Sequence, residues 1–201
     1  MNNLKTSIEN KTIYTGNIFK GIDKVVSKDL LRPQFCVAII ENGCIVATNA
    51  HILIKIPLSF WGIVDKEDLN NLEGKYIEYD TLKSLGTLNK SQEFIITKDG
   101  FTLLNKNLKP TLTYILQNDI KTDLGTFPNY EAVIPTAPAD VSQIGFNPLL
   151  LVDLYNVYKH NKVGLLEQKT YLKFYGENKA MILTDNKFSG FVGLIMPTKI
   201  D

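Results

Sequence analysis

The residue pattern predicts the order strand, helix, strand, strand, strand three times along this chain, and a repeat of that kind fixes an architecture before any single motif does. In the first copy KTIYTG (11 to 16) leads into Asn17, an N-cap residue, and then into IFKGIDKVVSKDLL. Its apolar positions Ile18, Phe19, Ile22, Val25, Val26 and Leu30 share one helical face, and Arg32-Pro33 stops it. QFCVAII, an Asn42-Gly43 turn, CIVAT and HILIKI follow as strands ending at Pro57. The second copy runs GKYIEY, the N-cap Asp80, a short helix TLKSLGTL, EFIITK, an Asp99-Gly100 turn, FTLLNK and TLTYILQ. The third runs VSQIGF (141 to 146), the N-cap Asn147 with Pro148 at the first helical position, LLLVDLYNVYKH, KTYLKFY, AMILT and FSGFVGLIM. The copies share element order and almost no residue identity. The expected fold class is therefore α+β, three β-α-β-β-β units with helices on one face of antiparallel sheets.

Two connectors separate the copies. Residues 57 to 73 carry a short helical pattern and Trp61, expected to anchor the connector to the core. Residues 125 to 140 hold three prolines and read as an extended crossing strand and linker.

Composition narrows the function classes. With 201 residues, 44% of them hydrophobic and 21% charged, the chain is a folded protein rather than a disordered tail. No apolar run approaches the roughly 18 residues of a membrane span, and MNNLKTSIEN lacks the build of a signal peptide, so the cytoplasm is the expected compartment, with no membrane partner. A net charge of +1 argues against nucleic-acid binding by bulk charge while leaving room for a local basic face. Cys36 and Cys44 flank the Asn42-Gly43 turn; a two-residue hairpin pairs Cys44 with Glu41 and Cys36 with Asn49, on opposite sheet faces, so no bridge is expected. His51 and His160 are the only histidines and there is no CxxC, which leaves almost no ligands for a metal. Nucleotide-binding glycine loops, GxSxG and HExxH are all absent, so neither a cofactor nor catalysis has support.

The positive signals are basic. Lys20, Lys24 and Lys28 recur at every fourth position, which on a helix lines their ammonium groups along one face opposite the apolar stripe, able to track phosphates. Lys83 and Lys90 near the second helix, and Lys159 and Lys162 near the end of the third, extend a candidate DNA-binding surface to every copy.

Four short strings carry a resemblance. VATNAHIL (46 to 53) resembles the ATDGHRL strand pair of the bacterial DNA polymerase III β subunit, the sliding clamp, and FPNYEAVIP (127 to 135) is similar to that family's FPDYRRVIP. GFNPLLLVDLYNVYK (145 to 159) resembles its FNxxYLLDAL helix, and VGLIMPTKI (192 to 200) its C-terminal VVMPMRL strand. They occur in the family's order, each at the matching place in a repeat. The resemblance implies a DNA clamp fold with residues 1 to 136 as one complete domain of two units and 137 to 201 as half of another.

The resemblance further implies a non-catalytic processivity or tethering factor that holds duplex DNA without sequence preference and binds a polymerase or another protein bearing a clamp-binding motif. The alternative is an adaptor or decoy on the same fold that binds clamp partners without encircling DNA. Carried over position by position, the partner-peptide pocket comprises Thr48, Ala50, His51, Ile52 and Leu53, then Pro128, Ala132 and Val133, then Leu194, Met196 and Pro197. Ile52 and Ala132 stand where the family has arginines, which makes the rim more apolar. The third, unpaired unit would expose the apolar faces of AMILT and FVGLIM. The first domain, or the same unit of a second chain in a homo-oligomer, is expected to cover them.

Overall fold

The computed structural model describes residues 11–16, 18–137, 139–141, 143–160, 170–185 and 190–198. The first unit supplies β1 (Tyr14–Thr15), β2 (Val37–Glu41), β3 (Cys44–Thr48) and β4 (Ile52–Pro57). A connector helix α1 (Lys66–Leu72) leads to the second unit, β5 (Lys75–Glu78), α2 (Tyr79–Leu85), β6 (Glu93–Thr97), β7 (Gly100–Leu104) and β8 (Pro110–Ile115). After β9 (Gln117–Asn118) and α3 (Ile120–Asp123), the third unit supplies α4 (Pro148–His160), β10 (Thr170–Lys173), β11 (Met181–Asp185) and β12 (Val192–Ile195).

Units one and two exchange their first strands. β1 pairs with β6 in the sheet β1-β6-β7-β8, while β5 pairs with β2 in the sheet β10-β11-β12-β4-β3-β2-β5-β9. All ladders are antiparallel. The eight-stranded sheet runs through the junction of the first and third units, because β12 pairs with β4 from Val192↔Lys55 to Ile195↔Ile52. That pairing, with α4 lying over β12 and β4, buries β11 and β12 of the third unit against the first, while Tyr171 and Leu172 of β10 stay exposed.

Alternation sorts the inner strands of this sheet into two dry faces, while the edge strands β9 and β10 are exposed. Ala38, Ile40, Ile45, Ala47, Ile54, Ile56, Met181 and Leu183 join one core with Leu82 and Leu85 of α2 and Leu154 and Val157 of α4. Val37, Ile39, Val46, Leu53, Tyr76 and Leu194 join a second core on the opposite face, roofed by Phe127, Tyr130 and Ile134 of the second connector. β-branched residues suit these strands because both faces are buried.

Several expectations are corrected. Residues 18–31 form no α-helix: Gly21 adopts φ 89°, a short 3₁₀ turn covers Ile22–Lys24, and the chain then turns again at Pro33–Phe35. A Cβ at Gly21 would lie 3.0 Å from the amide N of Val157 and 3.1 to 3.2 Å from the carbonyl of Asn156, so this stretch docks backbone to backbone on α4. Ser27 Oγ accepts from the Asp29 amide (3.0 Å) and Asp29 Oδ1 from the Leu31 amide (3.0 Å), side-chain bonds that compete with helix. Ile18, Phe19, Ile22, Val25 and Val26 are buried all the same, while Leu30 is exposed. The cap expected at Asn17 lies outside the described residues. In the second unit, α2 starts at Tyr79 with Glu78 before it, so Asp80 lies inside the first turn instead of capping.

Residues 125–140 show a 3₁₀ turn at Glu131–Val133 and no strand among the described residues. Burial of Tyr130 against the sheet folds the segment back instead of extending it. Residues 141–146 likewise give only one isolated bridge, Gly145↔Thr198. First strands in this fold join a companion unit's sheet, and the described residues hold none for the third unit. Asn147 does cap α4, its Oδ1 accepting from the Leu149 amide at 3.0 Å. Asp65 caps α1 by accepting from the amides of Glu67 and Asp68, and Trp61 packs on Phe19 with ring centroids 6.0 Å apart. Glu41 pairs with Cys44 as expected, Cys36 precedes β2, and both thiols are free, their pKa values pushed up by burial.

Candidate functional site

The hairpin joining β3 to β4 is built by its own side chains. Thr48 Oγ1 donates to the Ile52 carbonyl (2.8 Å) and accepts from the Ala50 amide (3.1 Å), while Asn49 Oδ1 accepts from the amides of His51 (2.9 Å) and Ile52 (3.0 Å). Ala50 takes φ 74°, a left-handed conformation that costs a residue with a Cβ. It stands where the ATDGHRL string has glycine.

The second connector is pinned beside this hairpin. The Tyr130 hydroxyl donates to Glu41 of β2 (3.1 Å), Lys55 of β4 pairs with Glu131, and Lys55 Nζ lies 5.5 Å from the centre of the Tyr130 ring. Burial raises the Tyr130 phenol well above its ordinary pKa, and the Glu41 carboxylate adds to the shift.

Between the hairpin, the connector and β12 opens a groove of about 210 Å³, lined by Phe35, Thr48, Ala50, Ile52, Leu53, Pro128, Asn129, Tyr130, Val133, Leu194 and Met196. Thr48, Ala50, Ile52, Leu53, Pro128, Val133, Leu194 and Met196 are thus brought together from three distant segments. His51, Ala132 and Pro197 are not among the lining residues: His51 faces a neighbouring depression and Ala132 another. The structure adds Phe35, Asn129 and Tyr130. Tyr130 carries a signal within FPNYEAVIP as one of the two aromatics of that segment, whereas nothing local marks Phe35, which the turn at Pro33 brings in.

The groove is suited to binding rather than chemistry. Its one ionisable group is the Tyr130 phenol, already bonded to Glu41, and the Thr48 hydroxyl is committed to the turn. The volume is below the roughly 300–1,000 Å³ of a small-molecule site and suits one or two apolar side chains. It is flanked on both sides. Val133 and Met196 also border a depression of about 390 Å³ that reaches Lys179, and Phe35 also borders one of about 480 Å³ lined by Lys24, Lys28, Arg32 and His51. An extended segment can cross all three.

The expected row of lysines is not a row. Lys20 lies on a turn, Lys24 ends the 3₁₀ turn and Lys28 lies in an irregular stretch; Lys24 pairs with Asp23 at 3.2 Å and Lys28 Nζ lies 5.3 Å from the centre of the Tyr79 ring. Asp153 of α4 is close enough to Lys24 for their charges to interact, and burial is the larger influence, raising its pKa. Lys83 and Lys90 are exposed, Lys159 falls in the last turn of α4, and Lys162 lies outside the described residues.

The fold matches solved structures of one kind. The chain superposes on the beta sliding clamp of C. crescentus with a TM-score of 0.60 over 95% of its length and 65% of that chain, at 14% identity. The chain has the sliding-clamp fold. The DNA polymerase III beta chain of Streptococcus pneumoniae gives a TM-score of 0.59 at 13% identity, covering 94% of this chain and 65% of that one. The sliding clamp of Bacillus subtilis gives 0.54 at 15%, covering 96% and 66%. This chain therefore spans about two thirds of the clamp chains it matches. No protein-family model matches it, and no curated protein does. None of the helices among the described residues is long and apolar enough to cross a membrane.

Proposed function

We propose that the chain is a non-catalytic tethering protein on the clamp fold, whose working site is the groove at the junction of β4 and β12. The observation that carries this reading is an apolar groove assembled from Leu53, Pro128, Val133, Leu194 and Met196, at the positions where the resemblance puts a partner-peptide pocket. Its occupant is an extended segment with bulky apolar anchors, presented by a polymerase or another protein bearing a clamp-binding motif. In this reading residues 1–136 act as a complete clamp domain and 137–201 as a half domain fused to it through the β12–β4 ladder.

Holding duplex DNA is the second part of the proposal. Exposed Lys20, Lys83 and Lys90 favour it, at the cost of strong salt sensitivity and no base specificity. The adaptor that does not encircle DNA is favoured by a different observation: Leu149, Val152 and Tyr155 on α4 are 67%, 52% and 45% exposed, an apolar stripe where a phosphate track needs cations. That stripe also supports self-association, since monomers rarely leave such residues together in water. Sedimentation with and without a nicked DNA circle separates the two. A ring of several chains that co-sediments with the circle and is released by linearising it supports encirclement, and an unchanged mass supports the adaptor.

A further inference from the structure

Beside the groove, on the other side of the Asn49–His51 turn, lies the depression of about 480 Å³ bordered by Lys24, Lys28, Arg32 and His51. Phe35 borders both spaces, Ala50 faces the groove, and its neighbours Asn49 and His51 face the depression. A segment anchored in the groove and running past Phe35 therefore enters it.

The charges of the depression are unequal. Asp23 is matched by Lys24 at 3.2 Å. Asp29 turns its Oδ1 to the Leu31 amide (3.0 Å), and Lys28 and Arg32 have no carboxylate within 4 Å among the described residues. Lys28 Nζ instead lies 5.3 Å from the centre of the Tyr79 ring. The groove itself has no cation among its lining residues.

We propose that this depression is the binding site for acidic residues that flank the apolar anchor of the captured segment. Lys28 and Arg32 receive one or two carboxylates, Arg32 through the fork geometry that suits them. A continuous phosphate track fits less well, because pairing of Lys24 with Asp23 leaves only Lys28 and Arg32 to meet it. This inference rests on the groove being a peptide site.

The test measures fluorescence anisotropy of labelled peptides on the full chain. One peptide carries Gln with Leu and Phe anchors and neutral flanks; two others add an Asp-Glu pair before or after the anchors. One acidic peptide is expected to bind about threefold to tenfold tighter than the neutral one, a gain typical of a few partly exposed ion pairs. The double variant Lys28→Ala, Arg32→Ala should erase the gain and leave the neutral peptide's affinity unchanged. Arg32→Glu should invert the preference toward a Lys-flanked peptide. Equal binding of acidic and neutral peptides overturns the proposal while leaving the groove reading intact, and failure of all peptides to bind overturns both. A short DNA duplex that binds through Lys28 and Arg32, with no gain from acidic flanks, also overturns it and makes the depression a phosphate site.

Discussion

Leu53 on β4 and Leu194 on β12 stand directly opposite each other in the ladder that joins the first and third units, both almost fully buried, and together they floor the groove. Their position makes them structural as well as lining residues. Truncating either is expected to cost about 2–5 kcal/mol of stability, as for other buried leucines. Half-buried Met196, at the edge of the same floor, can be shortened with less damage. Met196→Ala should weaken capture of a Gln- and Leu/Phe-bearing peptide by about tenfold or more, close to the worth of one well-buried side chain, while leaving the melting temperature nearly unchanged. Unaltered affinity in a folded Met196→Ala variant would place the peptide elsewhere.

Gly21 brings the backbone of the first unit against that of α4. Gly21→Ala combines a left-handed φ of 89° with a Cβ pressed against the Val157 and Asn156 backbone. The expected loss is about 2–4 kcal/mol in urea denaturation, and backbone amide exchange in α4 should speed up. A stability change within about 0.5 kcal/mol would show that the close approach is not maintained in solution.

Ala50 works in the opposite direction. Replacing it by glycine removes left-handed strain worth about 1–2 kcal/mol and returns part of that as unfolded-chain entropy. Ala50→Gly is expected to stabilise the chain by about 0.5–1 kcal/mol in chemical denaturation. Destabilisation would contradict the φ of 74° at this position.

Asp68 provides a pH signature. It is buried, accepts a bond of 2.7 Å from the Tyr14 hydroxyl, and has its pKa raised, chiefly by desolvation. A carboxyl whose folded pKa exceeds its unfolded value, ordinarily about 3.9, favours folding most when protonated. Its contribution is full below the unfolded pKa and fades as pH rises through the folded one. Asp68→Asn keeps an acceptor for Tyr14 and removes the titration. Chemical denaturation between about pH 3 and pH 7 should show the variant gaining on the wild type as pH rises. A pH-independent difference would remove Asp68 as the source.

The parts of this fold written in local chemistry were legible in the sequence. Asn42-Gly43 takes positive φ at both positions and closes the β2–β3 hairpin in the expected register, and Asn147-Pro148 opens α4. Ile18, Phe19, Ile22, Val25 and Val26 were legible as a core face, yet not as turns, because the close approach of Gly21 to the backbone of α4, far away in sequence, leaves no local mark. The 141–146 segment reads as a strand by alternation, but pairing in this fold depends on a companion sheet that alternation cannot supply. In the groove, the motif strings marked residues of three segments, whereas Phe35 arrives through the turn at Pro33, and Tyr130 through its bond to Glu41.

The central claim, capture of a partner segment in the groove, is tested most directly by methyl NMR of the intact chain labelled at its methionines. The chain has three methionines; Met196 lines the groove, while Met181 is buried in the core on the opposite face of the sheet and serves as an internal reference. Titration with a Gln- and Leu/Phe-bearing peptide should move the Met196 methyl signal saturably, at concentrations up to about 100 μM, and leave Met181 in place. A Met196 signal that stays fixed through high-micromolar peptide would contradict the account.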